Sequence, residues 1–292
     1  LTWRLAEAFS PTARRGAPLL RKPALGVEPA DRAMRFCSLG SGSTGNATLI
    51  EACDAAHTTR VLIDCGFTLK ELTLRLARSG VAPESIDAIF VTHEHGDHIG
   101  CAFSLARRFG IPLWMSRGTW RAIGSPEPDN GLLHFARDGE TIALAGLQLR
   151  AYTVPHDAAE PLQLTCGDGA RRLGLLTDAG SVTPHMIDAL QLCNALLLEC
   201  NHDRAMLAAS SYPASLKRRV GGPLGHLAND SAAEVLAACR HERLRHVVAA
   251  HLSLQNNRPD LAATALAEAL GATPQDIVVA DARQGFAWLD LH

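Results

Sequence analysis

Val91–Gly100, VTHEHGDHIG, packs three histidines and two acids into the six positions from His93 to His98, directly after the apolar run Ile86–Phe90, IDAIF. An apolar run that stops so abruptly reads as a buried strand entering a loop. His93 and His95 are two apart, so on an extended segment they point to the same side, while Asp97 and His98 follow where a helix should begin. The turn thus offers ligands in two groups. Imidazoles and carboxylates suit a zinc-like divalent ion, and a carboxylate can serve a second ion as well. A merely solvated turn needs no such spacing.

The remaining composition is that of an ordinary globular chain. Its 292 residues, 47% hydrophobic and 20% charged, suffice for one large domain or two small ones. No apolar run approaches the roughly 20 residues of a membrane span, so no membrane partner is expected. The eight cysteines are scattered, form no CxxC pair and sit mostly in apolar runs, which suits free thiols in a reducing compartment and a cytoplasmic location. Residues 1–33 carry Pro11, Pro18, Pro23 and Pro29 among basic residues with no apolar period. They are expected to form a disordered extension ahead of a domain at 34–292, with Met34 the natural start. Residues 1–33 hold 6 of the 28 Lys+Arg and 3 of the 30 Asp+Glu, so the remainder is net −5 and has no global basic field for nucleic acid.

From Met34 strands and helices alternate. MRFCSL, ATLIEA, RVLIDC and DAIFVT read as strands. TLKELTLRLARSG reads as a helix with Thr68 and Glu71 in capping-box spacing, and a second helix is expected from Asp97 to Phe109, before Gly110. Residues 125–131, SPEPDNG, read as a loop. The stretches LLHF, TIALA, LQLRAYTV, PLQLTCG and RRLGLLTD then form a strand-rich middle. TPHMIDALQ, SAAEVLAACR with a Ser231/Glu234 box, and RPDLAATALAEALG read as helices separated by the strands NALLLE, HVVAAH and DIVVA. The pattern implies two sheets packed face to face with helices outside.

Gly40–Gly45, GSGSTG, fits the GxGxxG of a dinucleotide site, with Asp64 about 20 residues on. The intervening NATLIEACDAAHTT is short for a crossover helix and opens with a β-friendly run. A tight glycine turn between strands is the preferred reading.

THEHGDH resembles the HxHxDH signature of the metallo-β-lactamase fold, an αββα sandwich of two mixed sheets with outer helices and a mononuclear or dinuclear metal site. The other elements of that pattern occur in order: Asp64 in LIDCG, His156 in TVPHDA, Asp178 in LLTDAG and His251 in VVAAHLS. SLGSGSTGN, LLLECNHD, GPLGHLAND and AAHLSLQNN are similar to motifs of the YycJ/WalJ-like group, cytoplasmic bacterial proteins regarded as metal-dependent phosphodiesterases or DNA exonucleases. Ala228 stands where that group has Ser in GHLSN.

The resemblance implies that His93, His95 and His156 hold one ion, that Asp97, His98 and His251 hold the second, and that Asp178 bridges them. Zinc is the expected metal, with manganese or iron as alternatives. Asp64 is expected to orient a ligand histidine. His226 is expected to face the substrate, donating to a phosphoryl oxygen or protonating a leaving group, with Asp97 as the other catalytic residue and His202, Asn46 and Asn229 as further site residues. Lys217–Arg219 could contact a nucleic-acid backbone. The implied function is phosphodiester hydrolysis on DNA by a bridging hydroxide. Hydrolysis of a carbonyl substrate such as a thioester, lactone or β-lactam is the alternative, since the ligand set alone does not separate them.

Overall fold

The computed structural model describes residues 33–53, 57–126 and 131–292. The expected disorder of residues 1–33 falls, but for Ala33, outside the described residues. So do positions 127–130 of the expected loop.

Alternating burial along the first strand shows how the layers arise. In β1 (Ala33–Gly40), Met34 and Phe36 join a core between two sheets, while Cys37 and Leu39 join a separate cluster beneath helices. Both faces are therefore apolar, as a strand covered on each side requires. With β1, the strands β2 (Ala47–Cys53), β3 (Thr58–Ile63), β4 (Ala88–Phe90), β5 (Leu113–Met115) and β6 (Leu133–Phe135) form most of the first sheet. The second comprises β7 (Thr141–Leu144), β8 (Leu147–Thr153), β9 (Leu162–Gly167), β10 (Arg172–Leu176), β11 (Ala195–Glu199), β12 (His246–Ala250) and β13 (Val278–Val279). The last strand, β14 (Phe286–Leu291), returns to the first sheet beside β1, giving the orders β14-β1-β2-β3-β4-β5-β6 and β13-β12-β11-β10-β9-β8-β7. The sequence reading did not anticipate β14, whose burial is uneven because it is an edge strand.

Phe36, Ile50, Val61 and Phe90 from one sheet meet Leu149, Leu164, Leu175 and Leu197 from the other in the central core. Helices α1 (Leu69–Arg78), α2 (Gly96–Ile99), α3 (Ala102–Phe109) and α4 (Arg117–Ala122) belong to the first half of the chain. The second half contributes α5 (Pro184–Leu190), α6 (Arg204–Ala209), α7 (Ala214–Val220), α8 (Asn229–Cys239) and α9 (Pro259–Leu270). α1 and α3 cover the outer face of the first sheet, and α5, α8 and α9 that of the second. This is the expected αββα sandwich.

Two local expectations are corrected, and one disfavoured rival falls. The helix expected from Asp97 to Phe109 is two helices, broken at Gly100 (φ 29°, ψ −109°). A Cβ there would lie 2.3 Å from the Cys65 carbonyl oxygen, so the chain bends where it presses on the β3 loop. The Ser231/Glu234 box does not form: α8 begins at Asn229 with Ala228 as its cap residue and no side-chain cap bond. The GxGxxG rival also fails, because Gly40–Gly45 joins two antiparallel strands and no helix follows. By contrast, Thr68 caps α1 as expected, accepting from Glu71 N at 3.3 Å.

The two runs β3-β4-β5-β6 and β10-β11-β12-β13 are parallel. Their carboxyl ends carry Asp64, the His93–His98 turn, Asp178, Glu199 and His251. Open α/β sheets gather ligand-binding loops at this rim.

Candidate metal centre

Three of the rim residues adopt left-handed backbone: Asp64 (φ 63°), Asp178 (φ 52°) and His251 (φ 54°). Such conformations cost a non-glycine residue of order 1 kcal/mol or more and persist where surroundings impose them. Here each turns a strand-end side chain back into the cleft. Gly66 allows the β3 loop to seat against the histidine turn, since a Cβ would fall 1.7 Å from Asp97 O. Gly66→Ala should therefore displace Asp97 and cut metal occupancy, about 10–100-fold in affinity if it acts as loss of an outer support does. Metal analysis of the purified variant checks this, and unchanged occupancy would refute the packing argument.

His93, His95 and His156 form one convergent set, Asp97, His98 and His251 a second, and His93, His98 and Asp178 a third, with ligand atoms in each set within 4.8 Å of one another. In the first, His93 Nε2 lies 3.0 Å and His156 Nε2 3.3 Å from His95 Nδ1. The outward nitrogens are held by partners that fix the tautomers. His156 Nδ1 donates to Gly225 O at 2.9 Å, and His98 Nδ1 to Asp64 Oδ2 at 2.8 Å. His93 Nδ1 lies 3.0 Å from Thr92 Oγ1, whose hydroxyl donates to Asp64. Asp64 thus orients His98 directly and His93 through Thr92, leaving both Nε2 lone pairs aimed inward.

The donors fit divalent ions. Asp178 Oδ2 and His251 Nε2 are buried atoms with no hydrogen-bond partner. Asp178 Oδ2 is only 2.7 Å from His98 Nε2 but off the direction an N–H donor needs. Buried polar atoms left orphaned are costly, and atoms that converge without bonding one another suit a shared cation. Neutral imidazoles with carboxylates are zinc-type donors. A fourth set, Asp178, Glu199, His226 and His251, adjoins these.

Comparisons with known proteins agree with this geometry. The pattern of the metallo-beta-lactamase superfamily matches residues 40–187. The chain belongs to that superfamily. It is 33% identical over 241 residues to exodeoxyribonuclease YycJ of Bacillus anthracis, covering 81% of this chain and 89% of that protein. It is also 33% identical over 232 residues to exodeoxyribonuclease WalJ of Streptococcus pneumoniae, covering 78% and 85%. These relatives place it in the YycJ/WalJ-like group and make it a metal-dependent hydrolase. Among solved structures, the metallo-beta-lactamase fold protein YhfI of Bacillus subtilis superposes with TM-score 0.67 at 16% identity, over 89% of this chain and 99% of that one.

The other expected site residues of this metallo-beta-lactamase-fold hydrolase separate into those at the centre and those behind it. His226 is at the centre, its Nδ1 2.7 Å from Glu199 Oε1 and 3.1 Å from Asp178 Oδ1, its ring about a quarter exposed. Asn46 is buried against the histidine turn. Its amide donates to Asp97 O at 3.2 Å and Gly42 O at 3.1 Å and accepts from Gly42 N at 2.8 Å, and its Nδ2 also lies 3.1 Å from His98 Nε2 and 3.4 Å from Asp97 Oδ2, so it braces the loop and touches two candidate ligand atoms. Ser41 of the same glycine turn accepts from His251 N at 2.9 Å. Asn229 is buried behind the centre in a reciprocal amide pair with Asn257, at 3.0 and 2.8 Å. His202 is buried too, outside every convergent set, with Nδ1 unbonded. Of the basic run, Arg219 reaches the rim, pairing at 2.7 Å with Asp157, which neighbours His156. His241 and His246 donate to the backbone carbonyls of Cys193 and Asp290, as befits structural histidines.

Glu199 was missed. It ends β11 fully buried, accepting from His226 and from Ala179 N at 2.8 Å. The signal was a carboxylate closing the apolar run NALLLE, since such a group is rarely buried unless paired.

Charge divides the centre. Burial, then the charge of His98, holds His93 well below the usual histidine range, and burial lowers His156. Burial also opposes charge at His98 and His226, but Asp178 and Asp64 push His98 up to about 10, and Glu199 and Asp178 push His226 up to about 9. His251 is raised well above the usual range, Asp178 and its other acidic partners outweighing burial. In metal-free protein at neutral pH, His98 and His251 therefore hold protons that an ion must displace. Affinity at the Asp97–His98–His251 set should rise steeply with pH up to about 10, with proton release, and rise less at the His93–His95–His156 set. Calorimetric metal titration in buffers of different ionisation heat checks this; binding without proton uptake by the buffer would contradict it.

Proposed function

We propose that this chain is a dinuclear metal-dependent phosphodiesterase that degrades DNA. The observation that carries the reading is His226: one ring nitrogen is clamped by buried Glu199, while the ring reaches the cleft beside the ligands His156 and His251, at centroid distances of 5.3 and 5.4 Å. A histidine so placed suits proton donation to a leaving oxygen. When bound, two divalent ions, zinc by the character of the donors, would activate water and neutralise the charge of a phosphoryl group. His93, His95 and His156 would hold one, and Asp97, His98 and His251 the other, with Asp178 serving both.

The chain's own residues complete the site. Asp64 and Thr92 fix the ring planes of His93 and His98. Asp97 is a quarter exposed, unlike buried Asp178 and Glu199, and its open side would receive the proton of the attacking water. His226 would return a proton through Nε2 to the departing deoxyribose oxygen. The exodeoxyribonuclease relatives support DNA as substrate. Eight free cysteines, seven of them buried, support the cytoplasm as the working compartment. Among the described residues no helix is long and apolar enough to cross a membrane.

Metal-reconstituted protein should be assayed on single- and double-stranded DNA, RNA, a chromogenic phosphodiester and a thioester. DNA hydrolysis is expected to lead the panel. Activity confined to the thioester would overturn the reading.

A further inference from the structure

We propose a second, non-catalytic site that binds a nucleotide phosphate on the outer face of the second sheet, in the cavity where Arg150, Arg171, Arg172 and Arg243 converge. The cavity has a volume of about 390 Å³ and none of its lining residues is acidic. It lies at the amino end of β10, while Asp178 follows that strand's carboxyl end; at about 3.3 Å per residue the two are separated by roughly 20 Å. It is therefore distinct from the metal centre.

The arginines are not equivalent. Arg172 is fixed, donating to Ala189 O at 2.9 Å, Thr165 Oγ1 at 3.1 Å and Gln191 O at 3.2 Å. Arg171 pairs with Asp168 at 3.2 Å, and that carboxylate is turned into its own loop, where it also accepts from Ala170 N and Arg171 N. The guanidiniums of Arg150 and Arg243 have no hydrogen bond or ion pair among the described residues. Four guanidiniums around a concavity whose own lining carries no carboxylate focus a positive potential, in a chain whose net charge is −2. The planar fork of arginine matches phosphate oxygens in pairs.

The rim adds an apolar component. Leu192 lines the same cavity, 58% exposed, with φ 60°, a conformation that leucine adopts only where the surroundings impose it. A leucine held out at the mouth of an arginine cavity suits a ligand with phosphate at one end and a flat apolar body at the other. A nucleotide has this chemistry, free or as a unit of a nucleic-acid strand. The proposal does not depend on which bond the metal centre cleaves.

The test titrates metal-loaded protein with thymidine monophosphate and with a phosphorothioate single-stranded oligodeoxynucleotide, which resists hydrolysis. Wild type is compared with Arg150→Ala/Arg243→Ala and with the charge-reversed Arg243→Glu. The expected result is a binding event for thymidine monophosphate beyond any at the metal centre, weakened about tenfold or more in both variants, while turnover of a chromogenic phosphodiester stays at wild-type level. If the oligonucleotide also binds the double variant more weakly, with a salt slope smaller by about 0.7 per lost phosphate contact, the ligand is a strand. If its affinity is unchanged, the ligand is a free nucleotide. Equal stoichiometry and affinity for thymidine monophosphate in all three proteins would overturn the site.

Discussion

Asp178→Ala is expected to lose both metal ions together, with hydrolysis falling further than the roughly 10²-fold typical of removing an outer support. Its two oxygens face different partners. Oδ2 lies 2.7 Å from His98 Nε2, and Oδ1 lies 3.0 Å from His251 Nδ1 and 3.1 Å from His226 Nδ1. Among the described residues no other carboxylate at the centre converges with histidines of both halves: Asp97 approaches His98 and His251, at 3.7 and 3.6 Å, and Asp157 approaches His95 and His156, at 3.9 and 3.4 Å. Burial raises the Asp178 carboxyl, but His251 and His98 hold it well below the ordinary range. Its contribution to metal-free stability is thus present above about pH 4 and lost as pH falls further. Asp178→Asn keeps the shape and removes the charge, so it should bind metal better than the alanine variant yet below wild type. Metal analysis alongside thermal unfolding distinguishes ligand loss from collapse of the fold. Full occupancy and activity in a folded Asp178→Ala protein would show that the carboxylate bridges nothing.

Much of this centre was legible because its chemistry is local in sequence. The His93–His98 turn carries four of the convergent donors side by side, and its position after IDAIF puts it at a strand end, where β4 terminates. Asp64, His156, Asp178 and His251 each close an apolar run, so their common rim followed from the fold that the motif implied. What escaped depends on contacts between distant segments. The helix break at Gly100 arises from the Cys65 carbonyl, 35 positions earlier, which no local period reveals. Asn46 and Asn229 carried motif resemblance, but whether such an amide faces substrate or braces a loop is decided by neighbours at 97 and 257. Glu199 reads locally as a strand end; its meaning comes from His226 and His251, 27 and 52 residues away. The arginine cavity likewise joins residues from β8, β10 and the segment before β12 that no motif connects.

His226→Ala should keep both ions while DNA turnover falls by roughly 10²-fold, the usual cost of one general acid or one oxyanion donor. His251→Ala, by contrast, should lose the second ion with its activity. The two rings are separated by how their nitrogens are spent. His251 directs an unbonded, buried Nε2 toward the Asp97–His98 set. His226 gives Nδ1 to Glu199 and Asp178 and keeps its exposed edge for the cleft. If His226 donates a proton to the leaving oxygen, a diester with a good leaving group should be less sensitive to His226→Ala than DNA, because such a group departs with little protonation. If it only stabilises charge on phosphorus oxygens, both substrates should lose equally. Glu199→Gln tests the clamp: it leaves the His226 ring in place but removes the charge that holds its proton, and should reproduce part of the same leaving-group dependence. Unchanged DNA cleavage by His226→Ala, with both metals bound, would return this histidine to a structural role.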